Sequence, residues 1–229
     1  PPRDVVPRRI QALYALTELP PPWVITSSEA AAVRLMPKPA LVDALDYLVA
    51  GEEVGRDRLI RTLYEGGYLR TSLVEERGDY AVRGGVVDVF PPLLSEPARL
   101  EFWGDHLESM RCFDPLSQRS TSSLGELVLL PASEIRLNEE AVERARSMGR
   151  LPPEVKEGGG FAGQEAWLNH FYDRLDTLFD YLPANGLLLR LDPDAVDAEA
   201  TRFREKFLRD AERYRRDAEE REQPFPEIE

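Results

Sequence analysis

Between residues 68 and 113 the chain reverses direction so often that only a meandering sheet accommodates it. Five strand-like runs, at 68–74, 79–83, 86–90, 99–103 and 107–113, are rich in β-branched and aromatic residues. Turn signals separate them: Gly78-Asp79, Gly84-Gly85, Pro91-Pro92 with Ser95 to Pro97, and Gly104-Asp105. A parallel crossover takes roughly a dozen residues or more, so these short spacings predict antiparallel hairpins. Just upstream, 47–49 reads as a strand and 56–65 as a helix. Gly66-Gly67 closes that helix, because glycine accepts the left-handed conformation of a C-cap. Segment 42–118 is thus predicted to be an antiparallel α+β domain.

The flanks, 1–41 and 119–229, read differently. Ile10, Leu13, Tyr14 and Leu16 mark a short amphipathic helix over 8–17, stopped by Pro20, Pro21 and Pro22. Residues 23–26 are β-rich, and Ser27 or Ser28 can cap a helix running to Leu35, ended by Pro37 and Pro39. Strand, cap, helix is one repeat of an α/β sheet. In the third segment, 127–130 and 187–191 read as strands, 139–148 and 166–181 as helices, and 151–163 as a Pro/Gly loop. A long helix over 194–222 carries Val196, Ala200, Phe203, Phe207, Ala211, Tyr214 and Ala218 as one narrow stripe, a pattern suited to lying on a partner surface. The chain begins Pro1-Pro2 and not with Met, which suggests a piece of a longer polypeptide.

Composition narrows the function. Of 229 residues, 42 are acidic and 29 basic, a formal net charge of −13. A surface this acidic does not grip a phosphate backbone over a broad area, which needs neutralising Lys and Arg. Cys112 is the only cysteine, so neither a disulfide framework nor a Cys-rich zinc site is available, in keeping with a reducing cytoplasm. No apolar run approaches the roughly 18 residues of a membrane span, and no membrane partner is expected. No Walker A loop is present. Gly158, Gly160 and Gly163 satisfy G-x-G-x-x-G, but Pro-rich polar sequence precedes them where a dinucleotide fingerprint needs a buried strand, so they read as a flexible loop. His106 and His170 lack a second His or Cys at metal-ligand spacing, and Cys112 reads as a buried strand residue. No catalytic residue, cofactor or metal is expected.

What stands out is where the hairpins carry arginine and aromatic side chains. Arg83 lies at the mouth of the Gly84-Gly85 turn, and Arg99 opens the next strand. Phe102 and Trp103 are adjacent, so in a strand they face opposite ways: one fills the core and the other is exposed or partner-facing. Exposed Arg beside a large aromatic is the make-up of a protein-interaction hot spot; ordinary sheet surface is the plainer reading.

The blocks GDYAVRGGVVDVFPP and RLEFWGDHLESMRCFDPLSQRS are long and specific. They resemble the stretch shared by bacterial transcription-repair coupling factors and the excision-repair protein UvrB. LVLLPASEI, FYDRLDTLFDYLPANGLLL and RDVVPRRIQALYAL lean toward the coupling factors. The resemblance implies a partial, degenerate RecA-like domain of α/β class with an inserted antiparallel α+β domain. It assigns 1–41 to the RecA-like part, 42–118 to the inserted UvrA-interaction domain, and 119–229 to the remainder with its long C-terminal helix. By position, Arg83, Arg99 and Trp103 stand where the family binds UvrA, and the family commonly has Phe in place of Trp103. The implied function is non-catalytic recruitment of UvrA to stalled RNA polymerase, with polymerase and DNA handled by other domains. Two other readings are a piece of the UvrB helicase-like ATPase and a scaffold acting through the C-terminal helix.

Overall fold

In the computed structural model the described residues are 5–18, 23–149, 155 and 164–220. The elements in chain order are helices α1 (Val5–Ala15), α2 (Ser28–Ala31) and α3 (Lys38–Asp43), strand β1 (Asp46–Val49), and helix α4 (Arg56–Glu65). Strands β2 (Leu69–Arg70), β3 (Asp79–Arg83), β4 (Val86–Val89), β5 (Ala98–Trp103), β6 (His106–Phe113), β7 (Ser120–Leu124) and β8 (Glu126–Leu129) follow. Helix α5 (Glu139–Ser147), a 3-10 helix (Gln164–His170), α6 (Leu178–Tyr181) and α7 (Pro193–Glu220) complete the order. The chain divides into two units, one of Pro1–Pro22 with Arg34–Asp176, the other of Trp23–Val33 with Thr177–Glu229.

The first unit is built on a six-stranded sheet of order β2-β3-β4-β5-β6-β7. Alternation sets its core face: Val87, Val89, Ala98, Leu100, Phe102 and Met110 are buried there. Leu59 and Leu63, one turn apart on α4, belong to the same core, as do Leu48 of β1 and Leu127 and Leu129 of β8. β1 and β8 form a separate antiparallel pair, Asp46 opposite Leu129 and Val49 opposite Glu126. Among the described residues no helix is long and apolar enough to cross a membrane.

The hairpins from β3 to β6 are antiparallel as expected, but the sheet is mixed because β2 and β3 pair in parallel. A tight loop permits this. The buried carboxylate of Asp79 accepts hydrogen bonds from the backbone N–H of Glu75 (3.3 Å) and Glu76 (3.0 Å) and folds 71–78 back on itself. The strand expected over 68–74 is therefore only Leu69–Arg70. β7, which the sequence reading omits, pairs with β6, and β8 pairs with β1, so the strand network runs on past residue 118.

Four further expectations differ. Residues 23–26 and 187–191 form no strand, and Trp23, Ile25, Leu187 and Leu191 are exposed. β-rich composition makes a strand only where a neighbour completes its hydrogen bonds. The helix expected over 166–181 is broken, because Asp176 is drawn into extended pairing with Leu35, each N–H donating to the other's carbonyl at 2.8 and 3.0 Å. That same pairing takes Leu35 out of the helix expected from Ser28, which ends at Ala31. The helix resumes at α6, where the Thr177 N–H donates to the Asp180 carboxylate at 2.7 Å. The loop expected over 151–163 lies outside the described residues except for Val155, which is buried, and the expected end of the long helix at 221–222 also lies outside them. On α7, Val196, Phe203 and Ala211 of the expected stripe are half-buried and Phe207 and Tyr214 exposed, and α2 packs on this helix within the second unit.

Gly85 shows how tightly the central hairpin is closed. A Cβ there would stand 2.6 Å from the Phe102 carbonyl oxygen, a backbone atom that cannot swing aside. Gly85→Ala should destabilise the first unit by about 2 kcal/mol, the cost of overpacking. A urea midpoint that falls at unchanged slope checks this, with Gly125→Ala, whose Cβ would meet nothing, as the neutral control.

Candidate protein-interaction face

The face of the sheet turned away from α4 carries a row of charged side chains. Register places Ala81, Asp88, Arg99, Arg111 and Ser123 side by side on β3 to β7. Arg83, Glu101 and Ser109 fall on the same face by alternation. β5 displays the rule directly: Ala98, Leu100 and Phe102 are buried, Arg99 and Glu101 half-buried, and Trp103 exposed.

Asp88 is the pivot of the row. It is only 1 % exposed, between Val87 and Val89 of the core. Arg99 grips it with two hydrogen bonds, Nε to Oδ1 at 2.7 Å and Nη2 to Oδ2 at 2.9 Å. Arg83 donates to the same Oδ2 from the other side. The Asp88 hydrogen bond holds the Arg99 guanidinium above its ordinary value despite partial burial. Arg99 also reaches Gln118 Oε1 at 3.3 Å and lies over the Phe113 ring, 4.6 Å from its centroid. Beside this pair, Glu101 accepts from the Ser109 hydroxyl at 2.9 Å and from Arg111, which together hold its carboxyl below the usual range.

Trp103 ends β5, on the same face as Arg99 by alternation and about 13 Å along the strand at ~3.3 Å per residue. Its ring is 82 % exposed, whereas Phe102 is 8 % exposed. Two glycine turns hold this end of the sheet, and both are tied to the start of α4. The Asp105 carbonyl accepts from Val54 N (3.0 Å) and Gly55 N (2.9 Å), and Arg56 Nη1 donates to the Gly84 carbonyl at 2.7 Å. The exposed ring thus stands on a fixed scaffold.

Of the residues singled out from sequence, Arg83 and Arg99 meet on one carboxylate, and Trp103 stands apart on the same face. Sequence reasoning missed Asp88. Its signal was a lone acid in the apolar run Val86-Val87-Asp88-Val89, a position where a charge is tolerated only if paired. Cys112 is buried on β6 as expected, and His170 is buried with its ring edge-on to Trp167. Among the described residues no group of three or more His, Cys, Asp or Glu could hold a metal ion.

Half-exposed arginines and, further along the same face, an exposed aromatic are residue types found at protein-interaction hot spots. Comparison with known proteins bears on the family. Residues 47–135 match the family described as the UvrB interaction domain, a span that takes in nearly the whole strand network. The chain is 36 % identical to the transcription-repair-coupling factor of Myxococcus xanthus and 32 % identical to that of Escherichia coli K12, in each case over 91 % of its own length and 19 % of the relative. The corresponding factor of Mycobacterium bovis is 32 % identical over 86 % of the chain. The chain spans about a fifth of the length of the curated relatives it matches, 19 % of the first three. Residues 47–135 thus match the UvrB interaction domain, and the chain is similar to the transcription-repair-coupling factors, which bears out the resemblance read from its sequence.

Proposed function

We propose that this chain is the UvrA-docking part of a transcription-repair coupling factor, a non-catalytic module that recruits UvrA to stalled RNA polymerase in nucleotide excision repair. The observation that carries the reading is the joint presentation of Arg83, Arg99 and Trp103 on one sheet face inside the matched domain. Arg83 and Arg99 pair with acidic groups of UvrA, and Trp103 fills an apolar pocket. The segments outside the matched span 47–135 belong to a degenerate RecA-like fold that carries the docking domain. RNA polymerase and DNA are contacted by other parts of the parent protein, in the cytoplasm, and the module itself uses no cofactor.

Arg83 gives the direct test, since its side chain is 48 % exposed and Arg99 still pairs with Asp88 when it is removed. Arg83→Ala should leave the circular dichroism spectrum unchanged and weaken UvrA binding about tenfold, roughly 1.4 kcal/mol, in a calorimetric titration. Wild-type affinity in the folded variant would rule out the assignment of this face.

A further inference from the structure

We propose that Asp88 is the positioning residue of the docking face, an inference that rests on reading Arg83 and Arg99 as UvrA contacts. Docking alone does not call for an acid here, because a partner offering carboxylates is repelled by one. Yet Asp88 sits at the centre of the arginine row, with its carboxylate sealed from solvent. A charge so buried persists only with full compensation, and both arginines supply it. Arg99 approaches from β5 with two parallel bonds and Arg83 from β3 with one. A single carboxylate on the strand between them therefore fixes two guanidiniums side by side. Gln118 and the Phe113 ring hold Arg99 from its remaining sides.

The consequence for binding is preorganisation. A free surface arginine gives up rotamer freedom when a partner captures it, and that loss weakens the complex. Arg83 and Arg99 have given it up already on folding. With two guanidiniums against one carboxylate, the cluster presents a net single positive charge, on a chain whose total is −13.

Asp88→Asn keeps the shape and separates two opposing effects. It adds one positive unit to the face, which draws an acidic partner closer, and it loosens both arginines. At physiological salt the Debye length is about 8 Å, so the added charge contributes little to long-range steering, while the lost order is felt at every contact. The expected net result is about tenfold weaker binding of purified UvrA at 0.15 M salt, with the gap to wild type narrowing as salt is lowered.

The decisive experiment is a calorimetric cycle on the full chain comparing wild type, Asp88→Asn, the Arg83→Ala/Arg99→Ala double variant and the triple variant. If Asp88 acts through the arginines, Asp88→Asn weakens binding in the wild-type background and weakens it no further in the double-variant background, where it relieves an unpaired buried carboxylate. Wild-type or tighter affinity for Asp88→Asn, with the double variant weakened, overturns the positioning role and leaves the docking reading standing. An equal loss in both backgrounds shows a general structural effect and overturns the role as well. Wild-type affinity in the double variant removes the docking reading and the positioning role together. If Asp88→Asn does not fold, nitrogen relaxation of the Arg99 Nε–H in the free wild-type protein decides: rigidity like that of the backbone is expected, and the motion of a free surface arginine overturns the proposal.

Discussion

Trp103→Ala should weaken UvrA binding by about 30-fold, roughly 2 kcal/mol, while leaving the fold untouched. The size follows from what the ring does before and after docking. In the free protein it is 82 % exposed, so truncation removes almost no native packing and stability should change by less than about 0.5 kcal/mol. In the complex a desolvated indole is among the strongest single anchors an interface can have. The backbone beneath it is already fixed by the Asp105 bonds to Val54 and Gly55, so little order is lost on binding. Trp103→Phe should keep most of the affinity, because the apolar anchor survives. Titration of both variants with UvrA, alongside thermal melts, checks this. An alanine variant that melts like wild type and binds like wild type would remove Trp103 from the interface.

Phe102→Ala, one residue earlier, should do the reverse. Phe102 points into the core with Leu100, Leu107 and Met110, and its backbone N–H closes the hairpin onto the Gly85 carbonyl at 2.7 Å. Deleting a buried phenyl ring leaves a cavity and costs about 3 kcal/mol, a fall in melting temperature of roughly 6–12 °C for a chain of this size. UvrA binding should fall only as far as the folded fraction falls. Adjacent aromatics would then separate cleanly, one through stability and the other through affinity. If Phe102→Ala left stability unchanged, the assignment of the core face would be wrong.

That these two residues separate was legible in the sequence because strand alternation is rigid and neighbours must face opposite ways; the structure turns Phe102 inward. The hairpins were legible for a similar reason, since Gly84-Gly85 and Gly104-Asp105 leave room for only a tight reversal. Alternation failed where it had nothing apolar to act on. β7 reads Ser120-Thr121-Ser122-Ser123-Leu124, a largely exposed edge strand whose place is set by its pairing with β6 and not by its side chains. Composition misled in the opposite direction at 187–191, where a leucine-rich run looks like a buried strand but finds no ladder. The broken helix over 166–181 depends on Leu35, far away in sequence, and no local pattern announces such a pairing. At the candidate face, Arg83, Arg99 and Trp103 emerged from their residue type, turn positions and family resemblance. Asp88 did not, because its role exists only once β3, β4 and β5 lie side by side.

The pairing of β1 with β8 has a mechanical consequence. Asp46 and Leu129 are cross-strand partners, so the two ends of the strand network lie one strand spacing apart. Pulled apart there, the pair opens one rung at a time, because its hydrogen bonds share no force. Beyond Leu129 the chain stays tied to the same domain: the Tyr68 hydroxyl donates to the Leu130 carbonyl at 2.6 Å, and the backbone N–H groups of Ala132 and Leu137 donate to the carbonyls of Gly66 and Glu65, each at 2.8 Å. A pull from the C-terminal side therefore loads these bonds first, and the β1–β8 pair is a second catch behind them.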